Sequence, residues 1–200
     1  MSAIRPYRAE DLPAVYDICV RTGAAGKDAR GQYSSDRLLG DCFAAPYVVL
    51  EPQFAFILEA DGAPVGYVLG TADTAGFVKH YTDSWIPRFD AAYPEPYAET
   101  DRALIQLGRH PERMLEPGLE NYPAHLHIDL LPQAQGQGFG RRLIAAFLDA
   151  VHRAGAPNVH LGMSPANTAA LAFYERLGFT RLSVGIPEDV LYLGRPTGND

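Results

Sequence analysis

The run Gln135-Gly136-Gln137-Gly138-Phe139-Gly140 is the part of the chain whose residue types point most directly to chemistry. Three glycines in six residues lie between an apolar run and a helical pattern. Side chains are absent where main-chain N–H groups converge, and the helix that starts there adds the positive end of its dipole. Such a turn suits a phosphate or diphosphate. A Walker loop requires Gly-Lys-Ser/Thr after four intervening residues, and no such triplet exists; a dinucleotide fold requires an acidic residue about twenty positions on, where the chain reads Pro157-Asn158-Val159-His160. Taken alone, the hexamer also fits an ordinary strand-to-helix turn.

Just upstream, His125, His127 and Asp129 alternate along His125-Leu126-His127-Ile128-Asp129-Leu130-Leu131, so a strand projects all three to one face. Histidine has the unperturbed pKa best matched to proton transfer near neutral pH. The polar face of a half-exposed strand would look the same.

The elements that must position these residues are legible from periodicity. Ile4–Arg8 reads as an edge strand, because Pro6 removes a ladder donor. Leu12, Val15, Ile18 and Cys19 fall at helical spacing within Glu10–Thr22, with Pro13 in the first turn and Gly23 as a stop. Gly23–Gly40 is polar and glycine-rich, a loop around one short helix at most. Phe54–Glu59, Asp61-Gly62 and Val65–Gly70 form a strand, tight turn and strand. The stretch 72–122, with Trp85, Pro87, Phe89, Tyr93, Pro94, Pro96 and Tyr97, holds no single period and reads as a loop-rich insertion with a short helix or two lying over a pocket. Tyr81, Trp85, Phe89 and Tyr97 either line an acceptor pocket or pack that insertion, packing being the plainer reading. After the glycine turn, Leu143, Ile144, Phe147, Leu148 and Val151 make one apolar helix face that Gly155 ends. Val159–Met163 is a strand, Asn167–Leu177 a helix stopped by Gly178, and a last strand lies near Val190–Leu193.

At 200 residues, 47% hydrophobic and 20% charged, the sequence fits one globular domain. It opens without a signal-peptide pattern and contains no membrane-length apolar run, so a cytosolic location is expected. Cys19 and Cys42 have no metal-like spacing and read as reduced thiols. A formal charge of −7 without a basic run argues against a nucleic-acid surface and suits a cationic acceptor.

Gln135-x-x-Gly138-x-Gly140 after a strand ending in Leu-Leu-Pro resembles the acetyl-CoA loop of the GCN5-related N-acetyltransferases (GNAT). Asn167-x-x-Ala170-x-x-Phe173-Tyr174-x-x-x-Gly178-Phe179 resembles that family's next signature. The two are independent and stand in the expected order with one strand between them. Arg5-Pro6-Tyr7, Val15-Tyr16-x-Ile18-Cys19, Gly66-Tyr67-x-Leu69-Gly70-Thr71 and Ser84-Trp85-Ile86-Pro87 further resemble the acetyltransferase-like C-terminal domain of O-GlcNAcase, here without a glycoside-hydrolase portion, as in a free-standing bacterial-type relative. The eukaryotic domain is generally described as having a degraded cofactor loop, whereas the glycine pattern here is whole.

The resemblance implies an α/β fold with a mixed, mostly antiparallel sheet of six or seven strands, flanked by helices and splayed where strand 125–131 ends. It implies acetyl-CoA as co-substrate, with the pantetheine arm on the backbone of Leu130 and Leu131. The diphosphate then rests on the amides of Gln135, Gly136, Gln137, Gly138, Phe139 and Gly140, with Arg141 or Arg142 alongside. Asn167 caps its helix and meets a pantetheine amide, and Tyr174 protonates the departing thiolate. Amine attack on the thioester requires a base or a water chain, and His127 and Asp129 stand nearest the strand end. The acceptor is an unidentified amine, small or a protein lysine or N-terminus; a non-catalytic binding module is the rival. The expected oligomeric state is monomer or homodimer.

Overall fold

The computed structural model describes residues 2–185 and 190–198. Seven strands form one sheet: β1 Ser2–Pro6, β2 Phe56–Ala60, β3 Ala63–Thr71, β4 Ala124–Leu130, β5 Asn158–Met163, β6 Thr180–Arg181 and β7 Leu191–Pro196. Their order is β1-β2-β3-β4-β5-β7-β6, with every neighbouring pair antiparallel except β4 and β5. The mostly antiparallel α/β architecture agrees with the expectation. Eight α-helices accompany the sheet among the described residues: α1 Leu12–Thr22, α2 Leu38–Phe43, α3 Ala45–Leu50, α4 Thr74–His80, α5 Ile86–Ala92, α6 Glu99–Arg109, α7 Phe139–Arg153 and α8 Thr168–Arg176.

β1 is an edge strand, which is where Pro6 belongs. Arg5 donates from its Nη atoms to both carboxylate oxygens of Asp11 at 2.7 Å and from Nε to Glu59 at 2.9 Å, tying that edge to β2 and to the start of α1. The β2–β3 turn uses Asp61 and Gly62 at φ 51° and 82°, the two positive angles of a tight hairpin. Gly23 ends α1, but with φ −69°; a Cβ there would lie 2.7 Å from Leu39 Cδ1 and 3.0 Å from Cys19 O, so a larger residue would have to displace Leu39.

Helices cover both faces. Along β4, odd and even residues point to opposite sides. The even side meets α7: Phe147 packs under Gly70, and a Cβ on Gly140 would lie 3.9 Å from Leu130 Cδ1. Leu143, Ile144, Phe147, Leu148 and Val151 of α7 are buried, each contributing about 1.5–3 kcal/mol of apolar burial. α1 packs on β3 and β4 from the odd side, together with α2, α3 and α4.

The sheet opens in its middle. β4 and β5 pair only at Ala124–Val159 and His125–His160. Beyond that point β4 stays with β3 as far as Leu130–Gly66, and β5 stays with β7 as far as Met163–Leu191. The strands therefore part just after His125, near the start of β4 rather than at its end.

The stretch 72–122 is more helical than its composition suggests. α4 runs through a π-helical turn, Tyr81–Trp85, into α5, and α6 follows. α2 and α3, in 38–50, also escape a periodicity search because each has only 6 residues.

Candidate active site

The glycine turn is open. Gly136 and Gly138 have φ 73° and 80°, a region that side-chain-bearing residues avoid, and a Cβ at either would meet nothing within 4 Å. Gly138 is the N-cap of α7. The first turn of α7 leaves the main-chain N–H groups of Gly138 through Arg141 without acceptors, and those of Gly136 and Gln137 find none among the described residues either. Gln135 and Gln137 fold inward, their Nε2 atoms donating to Leu130 O at 2.9 Å and Gln133 O at 2.7 Å. Arg141 and Arg142 are exposed beside the turn, and the guanidinium of Arg142 lies 5.6 Å from the Phe139 ring centroid. Gly140 serves packing, because a Cβ there would approach Phe173 Cζ to 3.0 Å.

The turn continues into the β4–β5 gap. Leu131 donates its N–H to Val65 O at 2.9 Å. Alternation along an antiparallel ladder then turns the main-chain groups of Ile128 and Leu130 away from β3 and into the gap. The bond from Gln135 to Leu130 O lies on that open side. Leu131 itself is unsuited to the part expected of it: its N–H is held by Val65 and its carbonyl accepts from Ala134 N at 2.8 Å. Only even positions of β4 turn their main-chain groups to the gap, so Ile128 rather than Leu131 stands there beside Leu130.

A pocket of about 290 Å³ opens along the upper part of the gap, lined among others by Tyr47, Arg113, His125, His127, His160 and Tyr192. Tyr47 Oη lies 2.8 Å from His125 Nε2 and 3.1 Å from His127 Nε2; His125 Nδ1 lies 2.7 Å from Thr74 Oγ1, which donates to Pro123 O at 2.8 Å. His160 donates Nδ1–H to Tyr122 O at 2.8 Å. Burial is the main cause that holds all three imidazoles neutral, moving His127 down to about 4 and His125 well below the ordinary histidine value, with the positive charge of Arg113 adding to both. No carboxylate lines the pocket among the described residues, and Arg113 is its one permanent charge, so the overall acidity does not extend to these walls.

These shifts set a stability prediction. A histidine whose folded pKa is depressed binds fewer protons than its unfolded counterpart, so the stabilisation is complete above about pH 6.5 and is lost as the pH falls toward 4. The urea midpoint is expected to be lower at about pH 5 than at pH 7.5, and this difference is expected to shrink in His127→Gln; an equal or higher midpoint at pH 5 would contradict it.

Asp129, on the same face as His127, accepts from Tyr67 Oη at 2.6 Å; burial raises its pKa, while the Tyr67 bond opposes that shift. Tyr174 of α8 is 9% exposed, between Phe173 and Phe179 at centroid distances of 5.2 and 5.5 Å. Its phenol has no hydrogen-bond partner among the described residues, and burial, assisted by the charge of Asp129, holds it in its protonated form. Asn167 accepts from Ala170 N at 3.1 Å as the N-cap of α8.

The fold thus sets the glycine turn, the gap-facing strand end and the histidines of β4 along the opening of the sheet, while Tyr174 lies within reach of the charge of Asp129 and Asn167 caps the same helix. It does not bring Tyr81, Trp85, Phe89 or Tyr97 to the gap pocket. Tyr81 donates to Gly108 O at 2.9 Å and Trp85 to Asp41 O at 3.0 Å; Trp85 and Phe89 line a separate cavity of about 520 Å³ with Tyr16, Asp41 and Tyr93. Tyr97 lies against Arg102 and Arg109. Tyr47, Thr74, Arg113 and His160 escape sequence reading: Tyr47 stands 80 positions from His127, and no local spacing reveals that contact. Cys19 and Cys42 are buried free thiols. No His, Cys, Asp and Glu cluster among the described residues fits a metal, and no helix among them is long and apolar enough to cross a membrane.

Comparison with known proteins accords with this geometry. The crystal structure of SsHAT superposes with a TM-score of 0.92 at 50% identity, covering 99% of each chain. Protein O-GlcNAcase of Rattus norvegicus is 28% identical over 199 residues, spanning 96% of this chain but 22% of that protein. The structure of yncA from Salmonella typhimurium, solved with its cofactor acetyl-CoA, shares the fold at 18% identity and a TM-score of 0.58, covering 100% of this chain and 95% of that one. Residues 27–179 match the profile described as Acetyltransferase (GNAT) family. With most of its length within that profile, and with the splayed sheet and glycine turn described above, the chain belongs to the acetyltransferase (GNAT) family.

Proposed function

We propose that the protein transfers the acetyl group of acetyl-CoA to an amine by direct attack, with both substrates held in the opening between β4 and β5. The observation that carries this reading is the unbroken path from free N–H groups at Gly136–Arg141 to the gap-facing main chain of Leu130 and Ile128. The turn takes the diphosphate, with Arg141 or Arg142 adding charge from outside. Leu130 and Ile128 pair with the pantetheine arm as a neighbouring strand would, which requires Gln135 to release Leu130 O. Asn167, whose Oδ1 is committed to the cap, retains its NH₂ for a pantetheine carbonyl. That yncA was solved with acetyl-CoA supports the choice of cofactor.

The thioester supplies the electrophilic carbonyl. The N–H of Ile128 donates to its oxygen as negative charge develops. His127, facing the pocket, takes the proton from the acceptor nitrogen, and Tyr174 gives its phenolic proton to the leaving sulfur. Asp129 stands between them in sequence but has one oxygen committed to Tyr67, which leaves His127 the better placed base. Burial pushes the thiol of Cys19 up to about 12 and that of Cys42 well above its ordinary value, so neither forms a thiolate able to carry the acetyl group.

Titration calorimetry with acetyl-CoA, followed by coenzyme A release against a panel of small amines and lysine peptides, tests the proposal; binding without turnover on any amine would favour a non-catalytic module. For Tyr174→Phe, turnover is expected to fall about 10- to 100-fold with cofactor affinity unchanged. An equal kcat would remove Tyr174 from the mechanism.

A further inference from the structure

We infer that Tyr47, His125 and Thr74 are positioning residues that fix which nitrogen of His127 acts as the base. The inference deepens the reading of His127 given above and rests on it only for the catalytic consequence. The hydrogen-bond chain has a fixed end. Thr74 Oγ1 and Pro123 O lie 2.8 Å apart, and two oxygens at that distance repel unless a proton stands between them; a carbonyl has none to give, so Thr74 donates. With its only proton committed, Thr74 Oγ1 can only accept from His125 Nδ1, 2.7 Å away. His125 is neutral, held so mainly by burial, and therefore carries a bare lone pair on Nε2, to which Tyr47 donates at 2.8 Å. The phenol proton is thereby committed as well, and the contact from His127 Nε2 to Tyr47 Oη, 3.1 Å, must be a donation by His127.

Each link thus decides the next. Neutral His127 carries its proton on Nε2 and a bare lone pair on Nδ1, which has no partner among the described residues. That atom is the one available to an acceptor amine in the pocket that His127 lines. When it takes the acceptor's proton, the His127 imidazolium keeps its Nε2–H bond to Tyr47. A concerted shift, Nε2–H to Tyr47 Oη and the phenol proton to His125 Nε2, moves the single positive charge to His125 without making or losing a proton. The charge goes no further, because the next proton along ends on a carbonyl. The pair of imidazoles therefore shares one extra proton, and His127 presents one defined nitrogen to the pocket.

Thr74 makes the discriminating variant because it touches His125 and not His127. Nitrogen-15 correlation spectra of the free protein report which imidazole nitrogen carries hydrogen. The wild type is expected to show a protonated Nε2 and a bare Nδ1 on His127 between about pH 6 and 8. In Thr74→Val, His125 loses its fixed acceptor and can turn its proton toward Tyr47, which reverses the chain; the Nδ1–H form of His127 is then expected to appear. Thr74→Ser is expected to keep the wild-type pattern, and Tyr47→Phe to give a mixture. With any amine that turns over, kcat is expected to fall about 10-fold or more in Thr74→Val with the KM for acetyl-CoA unchanged. A wild-type His127 protonated on Nδ1, or an unaltered His127 pattern in folded Thr74→Val, would overturn the inference. Because the spectra are taken without substrates, they decide it even if the protein proves not to transfer acetyl groups, a failure that calorimetry and the amine panel would reveal separately.

Discussion

Gly138→Asp is expected to weaken acetyl-CoA binding by at least about 100-fold. Gly138 occupies φ 80°, where most side-chain-bearing residues cost roughly 1–2 kcal/mol and aspartate somewhat less, so the larger effect of an aspartate is the negative charge it would set where the diphosphate is proposed to rest. Gly138→Ala separates the two contributions. A Cβ there meets nothing within 4 Å, so alanine brings strain without obstruction, and a loss of only about threefold to tenfold is expected. Calorimetry on both variants checks the pair; undiminished affinity in Gly138→Asp would remove the turn from the site.

The second large effect is expected at His127. His127→Ala is expected to lower kcat by about 100- to 10,000-fold with acetyl-CoA affinity unchanged, the range a positioned general base contributes. The expected pH dependence is distinctive. Because burial lowers the His127 pKa to about 4, the base is already neutral throughout the physiological range, so a loss of rate between about pH 8 and 6 would arise from protonation of the acceptor amine and would change with the amine chosen. An unchanged kcat in His127→Ala would transfer the role to Asp129 or to a water chain.

Much of the proposed site is visible in the sequence because the proposed binding rests on the main chain. A backbone cradle must be written in glycines, and Gly136 and Gly138 both occupy positive φ. The alternation of His125, His127 and Asp129 likewise maps directly onto one face of β4. Strand alternation does not reveal which main-chain groups are spent, so Leu131 is mistaken for a free partner until its bonds to Val65 and Ala134 are seen. The early parting of β4 from β5 leaves no local mark either, since it depends on what each strand pairs with on its other side. Tyr47 and Thr74 reach the histidines from α3 and α4, short elements whose place is set by packing against the sheet. The aromatic residues of 72–122 pack the helical layer because Tyr81 and Trp85 find main-chain acceptors within it.

The structure of the protein crystallised with acetyl-CoA tests the central claim most directly. The diphosphate is expected within hydrogen-bond distance of the N–H groups of Gly136–Gly140, with the pantetheine arm against Ile128 and Leu130 and the side chain of Gln135 displaced from Leu130 O. A cofactor bound elsewhere on the protein, or an opening between β4 and β5 left empty at saturating acetyl-CoA, would contradict it.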